Sequence, residues 1–234
     1  MKTIRTTLGA LLAGATLLVS GAVIADSAPK NTLSGRSKVY KNLDPASLES
    51  PTSAADIRNI GVGELAPTEI WARLEKGEKT ECLDCIPIVS KLIYDSHSRT
   101  REISAWWLRR RILGVFGPGQ VYEQTLKTAT DAGASENKRA YAVEALGEFL
   151  IAPGVPVIAK AATSDPSAKV RKAAAHALWR INSQGPNGEL ALAIGDKDES
   201  VRLEALYAST RVNVFTGTAA VVKRISDESP LVRK

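Results

Sequence analysis

The chain has 234 residues, of which 44% are hydrophobic and 5% aromatic, and a formal net charge of +6. This length allows one ordinary domain or a short array of repeats. Ala, Leu, Val and Ile supply most of the apolar residues, which favours close-packed helices and argues against an aromatic-rich β-sandwich.

The first 25 residues have a pattern typical of a secretory signal peptide. Lys2 and Arg5 precede an apolar run over residues 8–19, and Ala25 provides a small residue at the expected cleavage position. We therefore expect cleavage before Asp26 and a periplasmic or secreted mature chain. The apolar run is short for a permanent span, so we expect no stable membrane span after cleavage; an uncleaved anchor is the alternative.

Cleavage would leave 29 Lys and Arg residues against 25 Asp and Glu residues, a net charge of +4. An exported, mildly basic chain is poorly placed to meet nucleic acid, so we expect a protein partner and no nucleic-acid partner.

Residues 26–64 are rich in Ser, Pro, Asn, Gly and Thr and show little periodicity. This composition predicts a flexible leader that precedes a folded domain over residues 65–234. Apolar residues at helical spacing then predict a first, irregular pair of helices over residues 68–77 and 86–95.

A pattern of one Asp, one Val and one Arg recurs every 31 residues in the second half of the chain. Its three clearest copies are Asp165, Val170 and Arg171; Asp196, Val201 and Arg202; and Asp227, Val232 and Arg233. A fixed period of this length predicts stacked helical hairpins, each of which buries its apolar face against the next.

Five arginines mark the successive copies: Arg101, Arg139, Arg171, Arg202 and Arg233. Small residues dominate three and six positions later, and Leu dominates seven positions later, so one helix face is predicted to pack closely against a neighbour. We expect each marker Arg to bind an Asp of a neighbouring copy, forming a surface ladder of modest energy. Asp165 and Pro166 are predicted to begin a helix as N-cap and first residue.

The pattern D-x4-V-R-x2-A-x2-A-L at Asp165–Leu178 resembles the HEAT-repeat family, in particular the short HEAT-like repeats of the phycobilin-lyase type. The resemblance covers about residues 65–234. It implies an all-α fold, a right-handed α-solenoid of about five helical pairs with an incomplete last pair, and a surface that binds other proteins. The family's iron hydroxylases use His-Glu pairs, but Ala177 follows His176 and Ser98 follows His97, so the sequence predicts no metal site, no cofactor and no catalytic residue.

Cys82 and Cys85 are the only cysteines of the chain. Two thiols separated by two residues in an oxidising compartment favour a structural disulfide. A redox-active C-x-x-C motif is the alternative and would make the chain a thiol–disulfide or cofactor-handling protein. Haem attachment is disfavoured because Ile86, rather than His, follows the second cysteine.

Four lysines lie four or five residues before a repeat Asp: Lys91, Lys127, Lys160 and Lys223. One interpretation is compensation of helix C-terminal dipoles. The other is a basic stripe along the second helices, on the concave face that would bind a partner. Trp106 and Trp107 are expected to form a buried pair in front of a solvated Arg face at residues 109–111.

The sequence thus predicts an exported, non-enzymatic HEAT-repeat scaffold that binds a partner protein through its solenoid surface. The fifth copy has no helix after Arg233, so we expect a frayed C-terminal end and end-to-end self-association, from truncation of a longer array or from the lack of a docked partner.

Overall fold

A computed structural model describes residues 52–112, 119–182 and 187–234. All regular secondary structure in these ranges is helical. The α-helices there are α1 (Thr52–Arg58), α2 (Pro67–Lys76), α3 (Ile86–Leu92), α4 (Ser98–Arg109), α5 (Gln120–Thr130), α6 (Glu136–Phe149), α7 (Val155–Ser164), α8 (Ala168–Ile181), α9 (Asn187–Ala193), α10 (Glu199–Ser209) and α11 (Thr218–Val222). Short 3-10 helices span Asn59–Gly61, Leu83–Cys85, Ala152–Gly154 and Lys223–Ser226.

The helices stack in two rows. The first-helix row consists of α2, α4, α6, α8 and α10, each of which packs on the next. The second-helix row consists of α3, α5, α7, α9 and α11, and α5 to α11 pack on one another in the same order. Within the described ranges this is an α-solenoid of five helical pairs preceded by α1, with the stacking that the 31-residue period predicts.

The small residues of the repeat lie between neighbouring first helices, as predicted. Ala174 and Ala177 of α8 are at most 1% exposed. A Cβ built on Gly147 of α6 would lie 2.7 Å from the Cβ of Ala177, so the absence of a side chain at Gly147 lets the two backbones approach closely. Leu178, at the seventh position of the copy, is also buried and fills the space beside this contact.

The start of the folded part differs from the sequence prediction, and so does the start of α8, which is described in the next paragraph. The folded part begins before residue 65, because Ile57 of α1 is fully buried against Gly77. The expected leader over residues 26–64 therefore does not hold for residues 52–64. Residues 1–51, including the expected signal peptide, lie outside the described residues.

Asp165 and Pro166 do not begin α8, which starts at Ala168 with Ser167 at the N-cap position. The Asp165 carboxylate accepts a hydrogen bond from the backbone N–H of Ser167 at 2.8 Å and is otherwise occupied by Arg139. It therefore shapes the turn between α7 and α8 and is not available to cap the helix.

Candidate protein-binding surfaces

Three of the five marker arginines, Arg139, Arg171 and Arg202, bind an aspartate of the following copy and form the predicted ladder. Arg139 donates from Nε and Nη2 to the two carboxylate oxygens of Asp165, both at 3.0 Å. The same bidentate geometry joins Arg171 to Asp196 and Arg202 to Asp227, with distances between 2.7 and 2.9 Å.

Each marker arginine also holds the turn of its own copy. Nη1 of Arg171 donates to the backbone carbonyls of Asp165 and Pro166, at 2.9 and 3.1 Å. Arg202 makes the equivalent contacts with residues 196 and 197, and Arg233 with residues 227 and 228. One guanidinium therefore ties a turn to its own helix and, in the bidentate pairs, to the next copy.

The ladder departs from the prediction in its burial. The side chains of Arg202 and Asp227 are 3% and 1% exposed, and those of Arg171 and Asp196 are 5% and 10% exposed. These are not the weak surface pairs expected from the sequence, because loss of one partner would leave a buried charge unpaired.

Hydrogen bonding explains the acidity of the ladder carboxylates. The side-chain hydrogen bond from Arg202 is the main cause that lowers the pKa of Asp227 to about 2. Burial alone would raise the pKa of Asp196, but the hydrogen bonds from Arg171 and from the backbone of Asp198 outweigh burial and lower it.

The first pair of the ladder is different. Arg101 binds Glu144 of α6 at 2.8 Å and not Asp131, which accepts instead from the backbone N–H of Gly133. Eight residues separate Asp131 from Arg139, whereas six separate the Asp and Arg of the other copies. The two extra residues give this copy a longer turn, in which Asp131 serves as a local turn former.

The four lysines predicted to bind a partner are all exposed, on α3, α5, α7 and the 3-10 helix after α11. Lys91 and Lys127 lie in the last turns of α3 and α5, where they can offset the helix dipole. Lys160 does not lie in the last turn of α7, and Lys223 lies beyond α11. Dipole compensation therefore accounts for two of the four lysines.

A shallow groove of about 230 Å³ lies between α5 and α7 in the second-helix row. Ala129, Val157 and Ala161 supply its apolar lining, and Lys160 lies beside them. The Arg139–Asp165 pair forms another part of the lining. The groove therefore offers an apolar surface next to an exposed ammonium group for which the described residues provide no ion pair.

The first-helix row has a more polar groove of about 360 Å³, lined by residues of α4, α6 and α8. Its carboxylates already have partners: Glu144 binds Arg101, and Glu148 binds Arg180 through both oxygens. His176, at its edge, lies 2.9 Å from Glu204 of α10 and keeps 43% of its side chain exposed. This groove is thus a set of contacts between repeats, and His176 is more exposed than the neighbouring alanines, as expected.

Cys82 and Cys85 lie at the start of α3, with their Sγ atoms 2.01 Å apart and their Cα atoms 5.3 Å apart. Both residues are buried, at 5% and 0% exposure. The carbonyl oxygen of Ala54 in α1 lies 3.8 Å from the Cys85 Sγ, and Arg58 of α1 binds Asp84 at 3.0 Å. Helix α1 therefore covers the C-x-x-C segment.

Arg111 is the residue that the sequence interpretation misplaced. It was expected on a solvated Arg face, but it is 2% exposed and stacks on the ring of Trp107 with its guanidinium carbon 3.7 Å from the ring centre. It donates to four backbone carbonyls, those of Trp107 and of residues 77, 78 and 80. Burial lowers its pKa to about 10, so it remains charged at neutral pH.

The turn over residues 227–233 makes several contacts with the preceding copy. Asp227 is bound to Arg202, Ser229 binds Glu199 at 2.7 Å, and Val232 is 5% exposed. The turn over residues 227–233 therefore packs against the last first helix, α10. Helix α11, by contrast, has no buried residue.

Within the described residues, no group of three or more His, Cys, Asp or Glu side chains is arranged to hold a metal ion. None of the helices in those ranges is long and apolar enough to span a membrane.

A family model of HEAT repeats matches residues 123–194. This segment is similar to HEAT repeats, in keeping with the α-solenoid fold. The matched segment begins in α5 and ends directly after α9, and it contains the Arg139–Asp165 pair together with the groove between α5 and α7. No curated protein matches the sequence.

Three solved structures are similar to this chain at low sequence identity. The complex of CpcE and CpcF of phycocyanin lyase from Nostoc sp. PCC7120 is 20% identical over 64% of this chain and 95% of that chain, with a TM-score of 0.49. Escherichia coli YibA is 19% identical over 86% of this chain and 72% of that chain, with a TM-score of 0.52. Human deoxyhypusine hydroxylase in complex with glycerol is 17% identical over 80% and 73%, with a TM-score of 0.40. The similarity to YibA, whose TM-score exceeds 0.5, supports a common fold, and at this low identity it carries no information about function.

Proposed function

We propose that this chain is an exported, non-enzymatic HEAT-repeat scaffold that binds a partner protein through its second-helix row. The observation that carries the proposal is the groove between α5 and α7, where apolar side chains lie next to the exposed Lys160. Lys91 and Lys127 add exposed positive charge to the same row. An acidic segment with an apolar side chain is the complementary partner, because charge steers the encounter and apolar burial supplies affinity.

The test compares two double variants of the mature chain in affinity capture from the exported protein fraction. Lys127→Glu with Lys160→Glu reverses two charges of the second-helix row. Lys138→Glu with Lys172→Glu reverses two exposed lysines of the first-helix row and serves as the matched control. We expect the first variant to lose a partner that the wild type and the control retain. Equal capture by all three proteins would refute the proposed surface.

The proposal of export depends on residues 1–25, and its support is the charge and hydropathy pattern of that segment. Intact-mass measurement of the exported protein should give a chain that begins at Asp26. A membrane-retained, full-length chain would refute cleavage.

We also propose that Cys82 and Cys85 form a structural disulfide and not a redox centre. The burial of both sulfurs beneath α1 supports this role, because thiol–disulfide exchange needs an accessible sulfur. In the native state the bond should resist dithiothreitol until the protein is unfolded. Rapid reduction at neutral pH, with the fold intact, would instead favour the thiol–disulfide alternative.

A further inference from the structure

One surface near α1 combines exposed apolar residues with negative charge. We call it the acidic surface; it consists of the exposed residues within the ranges 54–65 and 78–84. Val62 is 82% exposed and Leu83 is 56% exposed. Four exposed carboxylates lie among these residues, those of Glu64, Glu78, Glu81 and Asp84, against two exposed cations.

A second surface, near α11, has the opposite charge. We call it the basic surface; it consists of the exposed residues of α11 and of residues 223–234. Val222, Ile225 and Leu231 are 61%, 73% and 56% exposed. Lys223, Arg233 and Lys234 are exposed, whereas Arg224 binds the buried Asp227 and leaves Glu228 as the exposed carboxylate of this segment. The accessible charge is therefore positive.

We propose that the basic surface of one copy of the chain binds the acidic surface of a second copy. The two surfaces lie on helices at opposite ends of the stacking order, so their contact would place the stacks of two copies end to end. Two different surfaces of one molecule form a heterologous contact, which repeats from copy to copy. The contact buries apolar side chains on both sides and pairs opposite charges, whereas two basic surfaces would repel each other.

This self-association uses neither the groove between α5 and α7 nor Lys127 and Lys160. It can therefore fail while partner binding holds, and the reverse is also true.

The first experiment is sedimentation of the mature chain over a concentration series at low and high salt. We expect the weight-average mass to rise with concentration and to fall when salt screens the charges. A constant monomer mass at every concentration would overturn the proposal.

The second experiment separates the two surfaces. Val222→Glu with Ile225→Glu disables the basic surface, and Val62→Lys with Leu83→Lys disables the acidic surface. Each variant alone should be monomeric, and an equimolar mixture should form one-to-one dimers, because each variant retains the surface that the other lacks. Tyr207→Glu, which changes a 53% exposed residue of α10, is the control and should associate like the wild type.

All of the changed residues are exposed, so melting curves should show that each variant folds. If either variant still associates on its own, or if the mixture stays monomeric, the contact between acidic and basic surfaces is wrong.

Discussion

The two halves of the described solenoid achieve the same stacking by different means. In α6 to α10, which we call the middle half, neighbouring first helices meet through small residues, and buried Arg–Asp pairs join one copy to the next. In α1 to α4, which we call the N-terminal half, contacts that occur only once in the described fold take the place of these repeated contacts. Trp107 donates from Nε1 to the carbonyl of Gly77 at 2.9 Å, and Arg111 holds the turn that follows Gly77.

The difference shows what repetition contributes. A repeated Arg–Asp pair offers a charged acceptor at a fixed sequence spacing, whereas Arg111 uses neutral carbonyls that any sequence provides. Both arrangements satisfy the hydrogen-bonding groups of a buried guanidinium. The carboxylates of the repeated pairs can lose their charge at acidic pH, whereas the carbonyls that bind Arg111 cannot, so the two halves should respond differently to mutation and to acid.

The largest expected effect concerns Arg111, the central contact of the N-terminal half. Arg111→Met should lower the free energy of unfolding by about 4 kcal/mol, because four backbone carbonyls lose a donor and two of these contacts are buried. Urea denaturation followed by circular dichroism measures this change. Arg110→Met is the matched control; its exposed side chain should contribute less than about 0.5 kcal/mol. Similar losses of stability for both variants would show that the buried contacts of Arg111 contribute no more than an exposed arginine does.

In the middle half, stability should be nearly as sensitive to mutation of the Arg–Asp ladder. Asp196→Asn should lower the free energy of unfolding by about 3 kcal/mol, since it leaves the Arg171 guanidinium buried without a counter-charge. Combining Asp196→Leu with Arg171→Met should restore part of the loss. Glu228→Gln is the control, because that carboxylate is 83% exposed and its contact with Arg202 is worth at most about 1 kcal/mol. A double variant as unstable as Asp196→Asn would contradict this account.

Helix packing in the middle half gives a smaller effect. Ala177→Leu should lower the free energy of unfolding by about 2 kcal/mol, because Gly147 leaves no room for added methylene groups. His176→Ala changes the adjacent, half-exposed residue and should be milder. Thermal denaturation of both variants tests this order. Equal melting temperatures would mean that the face assignment is wrong.

The disulfide is expected to add little beyond the other contacts of the N-terminal half. Cys82→Ala with Cys85→Ala should lower the free energy of unfolding by about 1 kcal/mol, because the closed loop is very short. The melting temperature of the double variant provides the measurement. A collapse of the fold would show that the bond, and not Arg111, holds this half together.

The sequence predicted much of the middle half and less of the N-terminal half. The 31-residue period predicted the small residues, the solenoid and the Arg–Asp ladder, because the same residue types recur at the same positions in several copies. Burial of the ladder could not be predicted, since it depends on how closely the turns stack. The role of Arg111 was missed for a different reason: its acceptors are backbone carbonyls about 30 residues away, which leave no trace in side-chain spacing.

The candidate surfaces were predicted in part for the same reason. The exposure of the four lysines follows from their position in the repeat, and their role in partner binding stays a prediction. The groove beside Lys160 depends on the separation of α5 and α7, which no residue pattern encodes. The fold of residues 52–64 onto the C-x-x-C segment was also missed, because Ile57 and Ile60 are too few to show a period.

The smallest expected effect is the response of the ladder to mild acid. Hydrogen bonds from Arg202 lower the pKa of Asp227 to about 2, whereas the unfolded chain should titrate near the ordinary value of about 3.9. A carboxylate with a lowered folded-state pKa contributes stability that is complete above the unfolded-state pKa. That contribution is lost progressively as the pH falls from about 4 towards about 2.

Hydrogen exchange at successive pH values can separate the two halves, provided that rates are expressed as protection factors. Between about pH 5 and about pH 4 we expect little loss of protection in α10, and between about pH 4 and about pH 2 a progressive loss, because the opened state takes up a proton at Asp227 before the folded state does. Protection in α4 should change less, because the carbonyls that bind Arg111 do not titrate and Glu144, which binds Arg101 of α4, is 32% exposed and forms a weaker pair. Asp227→Asn should have lower protection in α10 at neutral pH and a weaker dependence on acid. If acid instead opens α4 before α10, the carboxylates of the ladder do not set the acid stability of the middle half.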